Sequence, residues 1–286
     1  MDINTSISSS CFSENDKILG LEGGLRSCKI LKDTSSDTPL ISVITVVFNA
    51  ADTLKDTIES VRSQTYQNVE HIIIDGGSTD ATVDILKEYD QVIDYWLSEK
   101  DAGIYDAMNK GIALCSGDYI GMLNADDMFS DNSVLQTIID EFKTKKVDAV
   151  FSCLNIVEKN NLSHVLRKYR VPSFSSFLMR IGIMPPHPTF YCKKSVYKDA
   201  GLYKTNYKIA ADFEMLVRLL IKQKITWYFI DKVTVTMRSG GVSNSGIKST
   251  LLLNSEIIRA CKENNLYTNW LFLFLKLPIR LLEVLR

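Results

Sequence analysis

Cysteine, histidine and proline are scarce in this 286-residue chain, at six, three and six residues. The cysteines (Cys11, Cys28, Cys115, Cys153, Cys192, Cys261) make no Cys-x-x-Cys pair and have no histidine at zinc-ligand spacing, which argues against a structural zinc fold or a disulfide framework. They are expected to be reduced, mostly buried thiols. An excess of either charge is also missing: 33 Lys and Arg against 34 Asp and Glu leave a net charge of −1. No global basic field draws nucleic acid, which is not an expected partner. Neither Gly-x-Gly-x-x-Gly nor Gly-x-x-x-x-Gly-Lys-Ser/Thr occurs, so the dinucleotide and P-loop fingerprints are absent. The start of the chain lacks the charged, apolar and small-residue blocks of a signal peptide and is polar and serine-rich up to Asp37, so a cytoplasmic location is expected.

What is present is an α/β pattern, in a chain whose 45% hydrophobic content suffices for a sizeable core. Leu40-Ile-Ser-Val-Ile-Thr-Val-Val-Phe48 is apolar on both faces, as a central parallel strand requires. A helix should follow, with Asp52 as N-cap and Leu54, Ile58 and Val61 at helical spacing. Val69–Ile74 predicts the next strand, Asp75-Gly-Gly-Ser-Thr-Asp80 a turn, Thr82–Tyr89 a helix and Val92–Leu97 a third strand. Ile104, Ala107, Met108, Gly111 and Ile112 then form an apolar helical stripe before a strand ending at Asn124. Such alternation builds a mostly parallel sheet with helices on both faces, and ligands bind outside the carboxyl ends of its strands. Residues 1–38 read as a partly disordered N-terminal extension, interrupted by Gly23-Gly24-Leu25-Arg26, which suits an extra turn against the main domain.

Asn49, Asp75, Asp101 and the pair Asp126-Asp127 all fall just after predicted strands, hence on one rim. Each alone also reads as a cap or turn residue; together they are what a nucleotide pocket needs. Adjacent carboxylates can hold Mg2+ or Mn2+ and leave coordination sites open for a diphosphate. Asp75-Gly-Gly-Ser permits close backbone approach, with a carboxylate free to accept hydrogen bonds from a base or ribose. Downstream, Asp212 stands at the start of a helix that carries Phe213, Leu216, Val217, Leu220 and Ile221 on one face, either as a cap or as a functional carboxylate. His187, among the prolines of Met184-Pro-Pro-His-Pro-Thr-Phe190, can bond a sugar or a backbone carbonyl. Arg238 in Met237-Arg-Ser-Gly-Gly-Val-Ser243 suits phosphate in a mobile loop, or belongs to an ordinary surface turn.

Ile44-Thr-Val-Val-Phe-Asn49, Ile72-Ile-Ile-Asp-Gly-Gly-Ser-Thr-Asp80, Ile104-Tyr-Asp-Ala-Met-Asn-Lys-Gly111 and Asn124-Ala-Asp-Asp127 resemble, in order and spacing, the serial motifs of family 2 glycosyltransferases with a GT-A fold. The similarity runs from about Pro39 to about Ser243 and is nearest to bacterial enzymes of O-antigen, capsule or exopolysaccharide assembly. The resemblance implies a nucleotide-sugar donor, Mn2+ or Mg2+, and inversion at the anomeric carbon. By position it implies donor contacts at Asn49, Asp75, Asp101, Asp126 and Arg238, metal at Asp126 and Asp127, acceptor-side contact at His187, and Asp212 as general base. Asn124 stands where the family carries an acid, Met108 where relatives often have arginine, and Val46-Val47-Phe48 where Pro-Thr-Tyr is common.

The tail, Trp270-Leu-Phe-Leu-Phe-Leu-Lys-Leu-Pro-Ile-Arg280 onward, is apolar but interrupted by Lys276, Pro278 and Arg280. It is too short and too charged to span a bilayer, yet suits either the interface of an anionic membrane or packing against the domain. The expected organisation is an extension over 1–38, a GT-A domain over 39–245 with donor half 39–130 and acceptor half 131–245, and a helical, membrane-associating segment over 246–286. The expected activity is inverting transfer of glucose or galactose from a UDP-sugar to a lipid-linked saccharide such as GlcNAc-diphosphoundecaprenol, giving a β-glycoside at the cytoplasmic face of the inner membrane. Rhamnosyl or N-acetylhexosaminyl transfer is the alternative. A nucleotidyltransferase would need a glycine-rich loop and a basic residue that Thr45–Ala51 lacks, and a binding-only module has no use for both a metal pair and Asp212.

Overall fold

The structure is a computed structural model and describes residues 20–240 and 246–276. Among these, ten strands form one sheet in the order β1-β4-β3-β2-β5-β9-β7-β10-β6, with β8 beside β7. The strands are β1 (Leu21–Gly23), β2 (Ile41–Val47), β3 (Val69–Asp75), β4 (Tyr95–Ser98), β5 (Tyr119–Met122), β6 (Asp127–Phe129), β7 (Ala149–Glu158), β8 (Asn161–Tyr169), β9 (Tyr191–Lys193) and β10 (Trp227–Arg238). The helices are α1 (Leu54–Arg62), α2 (Thr82–Glu88), α3 (Ile104–Leu114), α4 (Val134–Lys145), α5 (Ser176–Arg180), α6 (Lys194–Ala200), α7 (Ala211–Val217), α8 (Ile247–Glu263) and α9 (Trp270–Phe274).

β2 and β3 are buried at every position, which is why their sequences are apolar runs and not alternations. With β4 and β5 they form a wholly parallel block, β4-β3-β2-β5. The sheet is mixed beyond it: β9 runs antiparallel to both β5 and β7, β7 and β10 are parallel, and β6 is antiparallel to β10. The mostly parallel arrangement expected from the alternation is thus confined to β2–β5, and one sheet continues from this block through β9, β7 and β10 to β6. The helical stripe of α3 packs as its spacing predicts, with Ala107, Met108, Gly111 and Ile112 buried and Ile104 exposed. Gly111 lets α3 lie close on β2, since a Cβ there would come 2.4 Å from Ile44 Cγ2.

Gly121 on β5 faces Tyr191 on β9 across an antiparallel pair, and the fully buried Tyr191 ring fills the space a side chain would need. An added Cβ would lie 2.1 Å from Tyr191 Cε1. Gly121→Ala is therefore expected to destabilise the fold by about 1–3 kcal/mol, the range of a core that must move to admit a group. Urea unfolding midpoints measure it, and a change under about 0.5 kcal/mol, the scatter of surface substitutions, would contradict this packing.

Within the N-terminal extension, residues 20–38 lie against the sheet: β1 adds antiparallel to β4, a 3-10 turn follows at Leu25–Cys28, the Arg26 guanidinium reaches Glu70, and Lys32 Nζ lies 2.7 Å from Asp94. Glu70 and Asp94 are buried, and a buried carboxylate needs a cation or donors; the N-terminal segment supplies the cations. Residues 1–19 of that extension lie outside the described residues. At the other end, α8 packs on α7, and Ile257, Ala260 and Cys261 belong to the main core. Residues 277–286, with Pro278 and Arg280, and the loop residues 241–245 also lie outside the described residues. No described helix is long and apolar enough to cross a membrane.

Candidate active site

The carboxyl ends of β2, β3 and β4 place Asn49, Asp75 and Asp101 on one rim. Asp75 ends β3, is fully buried, and accepts hydrogen bonds from Ser98 Oγ (2.6 Å) and from the Ser78 amide (3.0 Å) and hydroxyl. These use three of roughly four acceptor positions on a carboxylate. Asn49 sits in the left-handed region at φ 49°, where its Oδ1 accepts from the Thr79 amide (2.8 Å) while its own amide donates to Ser78 Oγ (2.7 Å). Its side chain therefore shapes the Asp75–Thr79 turn. Gly76 lets Asp101 approach, as a Cβ there would stand 2.5 Å from Asp101 Oδ2; Asp101 Oδ1 accepts from the Gly103 amide just before α3.

The acidic turn divides unequally. Asp126 is part-exposed, whereas Asp127 begins β6 and is only 1% exposed. The sequence treats the two as a pair on one lip, but the strand after the turn draws Asp127 inward. Burial raises the proton affinity of Asp126. Burial and then the Asp126 charge push that of Asp127 well above the carboxylate range. Asn124 Nδ2 donates to Asp127 Oδ2 (3.2 Å), yet Asn124 Oδ1 and Asp127 Oδ1 are buried with no hydrogen-bond partner. Unsatisfied, mutually repelling hard oxygens are a donor set that Mg2+ or Mn2+ fits. No cluster of three or more His, Cys, Asp or Glu occurs among the described residues, so an ion here would rely on few protein ligands.

Arg238 differs from its expected role. Its buried guanidinium donates to the Asp126 carbonyl (2.8 Å) and pairs with Asp56 of α1, so it fixes the acidic turn from the end of β10. His187 differs as well. It is buried in a 3-10 turn (His187–Thr189) with Nε2 2.8 Å from Tyr203 Oη, and burial lowers its pKa to about 4, so the ring is neutral with Nε2 engaged by Tyr203.

Asp212 lies in the first turn of α7, part-exposed but densely surrounded, and burial raises its pKa to about 6 against the Phe213 amide, which favours the charged form. Tyr105, at the start of α3, donates to the Ile209 carbonyl (2.5 Å) and stacks on Tyr203 with ring centroids 6.1 Å apart. Asn109 holds Tyr203 by both backbone groups, at 2.8 and 2.9 Å. Because α3 follows directly on Asp101, these contacts tie the segment leading into Asp212 to the helix that leaves the rim. Sequence reading named Asp212 but missed Tyr105, Asn109, Ser98 and Tyr203. Tyr105 and Asn109 lay inside a motif already singled out, whereas nothing local marks Ser98 or Tyr203. The chain thus offers a carboxylate of raised proton affinity at Asp212 and an oxygen-rich turn suited to a cation at Asn124–Asp127.

The family description Glycosyl transferase family 2 matches residues 42–204, more than half of the chain. An uncharacterized glycosyltransferase of Mycobacterium tuberculosis is 36% identical over 185 residues, covering 64% of this chain and 70% of that protein. A PGL/p-HBAD biosynthesis glycosyltransferase of Mycobacterium bovis is 26% identical over 221 residues, covering 75% and 83%. Among solved structures, S. aureus TarS 1-349 superposes with a TM-score of 0.61 at 15% identity, covering 80% of this chain and 67% of that one. The chain spans 40% of the longer TarS chain. A mannosyltransferase from Pyrobaculum calidifontis, in complex with GDP-Man and Mn2+, superposes at 0.60 with 14% identity, covering 86% and 70%. These two likenesses establish the fold, and together with the matched sequence they show that the chain belongs to glycosyltransferase family 2 with a GT-A fold.

Proposed function

We propose that this chain moves glucose or galactose from a UDP-sugar to a lipid-linked saccharide, with inversion at the anomeric carbon. The observation that carries this reading is Asp212, at the head of α7 where Tyr105 of α3 grips the preceding backbone, with a raised pKa of about 6 that suits a base working near neutrality. Asp212 takes the proton of the acceptor hydroxyl as that oxygen bonds to the anomeric carbon and the bond to the diphosphate oxygen breaks. The logic is that of an inverting site, with base and leaving group on opposite faces of the sugar. Asp75 and its serines support the base and ribose end of the donor, with Asn49 and Asp101 completing the wall. Asp126 and Asp127 would hold Mn2+ or Mg2+, whose chemistry when bound is to offset charge on the departing diphosphate. His187 and Arg238 act from behind, through Tyr203 and through the Asp126 backbone.

Uridine is the preferred base, and TarS has been solved with UDP and UDP-GlcNAc, whereas the mannosyltransferase holds GDP-Man. The UDP-GlcNAc complex keeps N-acetylhexosaminyl transfer as the second reading. The lipid side of the acceptor draws on α9, where Leu271 is 72% and Trp270 43% exposed, beside exposed Phe274 and Leu275. Such a face lies in the headgroup region when basic residues flank it. A panel of UDP-, GDP- and dTDP-sugars with GlcNAc-diphosphoundecaprenol in anionic vesicles, scored for nucleoside diphosphate release, tests both points. Release is expected with UDP-glucose or UDP-galactose; release only with a guanosine or thymidine donor would overturn the donor assignment. A chain lacking residues 270–286 is expected to lose vesicle flotation, and unchanged flotation would remove the membrane role.

A further inference from the structure

Glu256 lies on α8, beyond the residues matched to the family, and is only 6% exposed. Its partners are backbone amides. Oε1 accepts from Lys208 (2.8 Å), and Oε2 accepts from Ile209 and Ala210 (2.9 Å each). Ala210 is the N-cap residue of α7, so a carboxylate from another helix holds the amide of the cap residue and the two amides that lead into it. The Ile209 peptide is gripped from both sides, its N–H by Glu256 and its carbonyl by Tyr105. Three residues on stands Asp212.

We propose that Glu256 is a positioning residue for Asp212: by holding the backbone of residues 208–210 it fixes where the carboxylate at the head of α7 stands, making α8 a part of the active site. The inference rests on reading Asp212 as the base. The groups facing Asp212 are Tyr105 from α3, Tyr203 from the segment before α7, and Glu256 from α8. Burial is the main cause of the raised proton affinity of Asp212, and the Glu256 charge adds to it. Glu256 therefore acts twice, by place and by charge. A side chain that merely stabilised the fold would do neither at Asp212.

The two roles separate in Glu256→Gln, which removes the charge and one acceptor, and Glu256→Asp, which keeps the charge but withdraws it. The full chain carrying 13C-carboxyl aspartate is titrated from roughly pH 4 to 8, with the Asp212 resonance assigned by its loss in Asp212→Asn. In Glu256→Gln the Asp212 midpoint is expected to fall by about half to one pH unit, the scale of one nearby charge, while amide exchange at 208–210 accelerates. In Glu256→Asp the midpoint falls by less than in Glu256→Gln while exchange still accelerates. Both variants are expected to lose about 10- to 100-fold in kcat with UDP-glucose or UDP-galactose, at little change in donor KM, the pattern of a displaced catalytic group. An unmoved midpoint in folded Glu256→Gln, or unchanged exchange at 208–210 in Glu256→Asp should the glutamine variant not fold, overturns the inference. Ordinary turnover in Asp212→Asn would instead sink the base assignment, and the titration and exchange would still judge Glu256.

Discussion

Asp212→Asn is expected to lower sugar transfer by about 10²- to 10⁴-fold, the usual worth of a positioned general base, without weakening donor binding. The same substitution should stabilise the protein at neutral pH. A folded-state pKa of about 6 lies above the ordinary aspartate value, so between these values the folded chain holds a proton that the unfolded chain has lost. Wild-type stability from this group therefore falls as pH rises through that window and is lowest above pH 6. Asparagine carries no such penalty. The gain should be about 1–3 kcal/mol at pH 8, discounted because the carboxylate is part-exposed, and should fade below about pH 4. Melting temperatures at the two pH values and transfer rates at saturating donor measure both effects. Turnover within tenfold of wild type would remove Asp212 from the mechanism. The acid limb of the wild-type kcat profile should fall below about pH 6 for the same reason.

Chelation of divalent metal, or Asp126→Ala, is expected to lower transfer by a comparable 10²- to 10⁴-fold, since a bound cation supplies several kcal/mol of charge stabilisation to a departing diphosphate. A binding readout separates metal loss from other damage. Mn2+ at about 100 times its Kd should stabilise the wild-type fold by about 2.7 kcal/mol and leave Asp126→Ala where it was. The basis is the pair of buried, unpartnered oxygens on Asn124 and Asp127 beside the part-exposed Asp126. Unchanged transfer in chelator, with no thermal shift on adding Mn2+, would show that the acidic turn works without a cation. Asn124 sharpens the test, because an amide where the family carries an acid lowers the charge of the turn, and metal affinity follows ligand charge.

The fold was legible where its cause is local. β2 and β3 show as apolar runs because both faces are covered, and α3 shows as a stripe because one face is. Parallel neighbours place their carboxyl ends together, so Asn49, Asp75 and Asp101 could be set on one rim from strand order alone. Legibility failed where a side chain chose a distant partner. Arg238 reads as a loop arginine but pairs with Asp56 on α1, and His187 reads as a partner for a sugar or a backbone carbonyl but bonds the Tyr203 hydroxyl. The polar composition of the N-terminal extension shows no partners for Arg26 and Lys32, which answer carboxylates far along the chain. β6 went unseen, since three residues carry no period, and its pairing with β10 is what turns Asp127 inward.

The sequence by itself determined the family, the α/β alternation, the rim and the candidate base, because each depends on spacing over a few residues or on motifs kept in order. Tertiary structure alone decided which of two adjacent aspartates faces the rim, which amides Glu256 holds, and why Asp212 keeps its proton up to about pH 6. Burial and hydrogen-bond partners are properties of the packed chain, and they set the proton affinity and place of a side chain whose identity is all the sequence records.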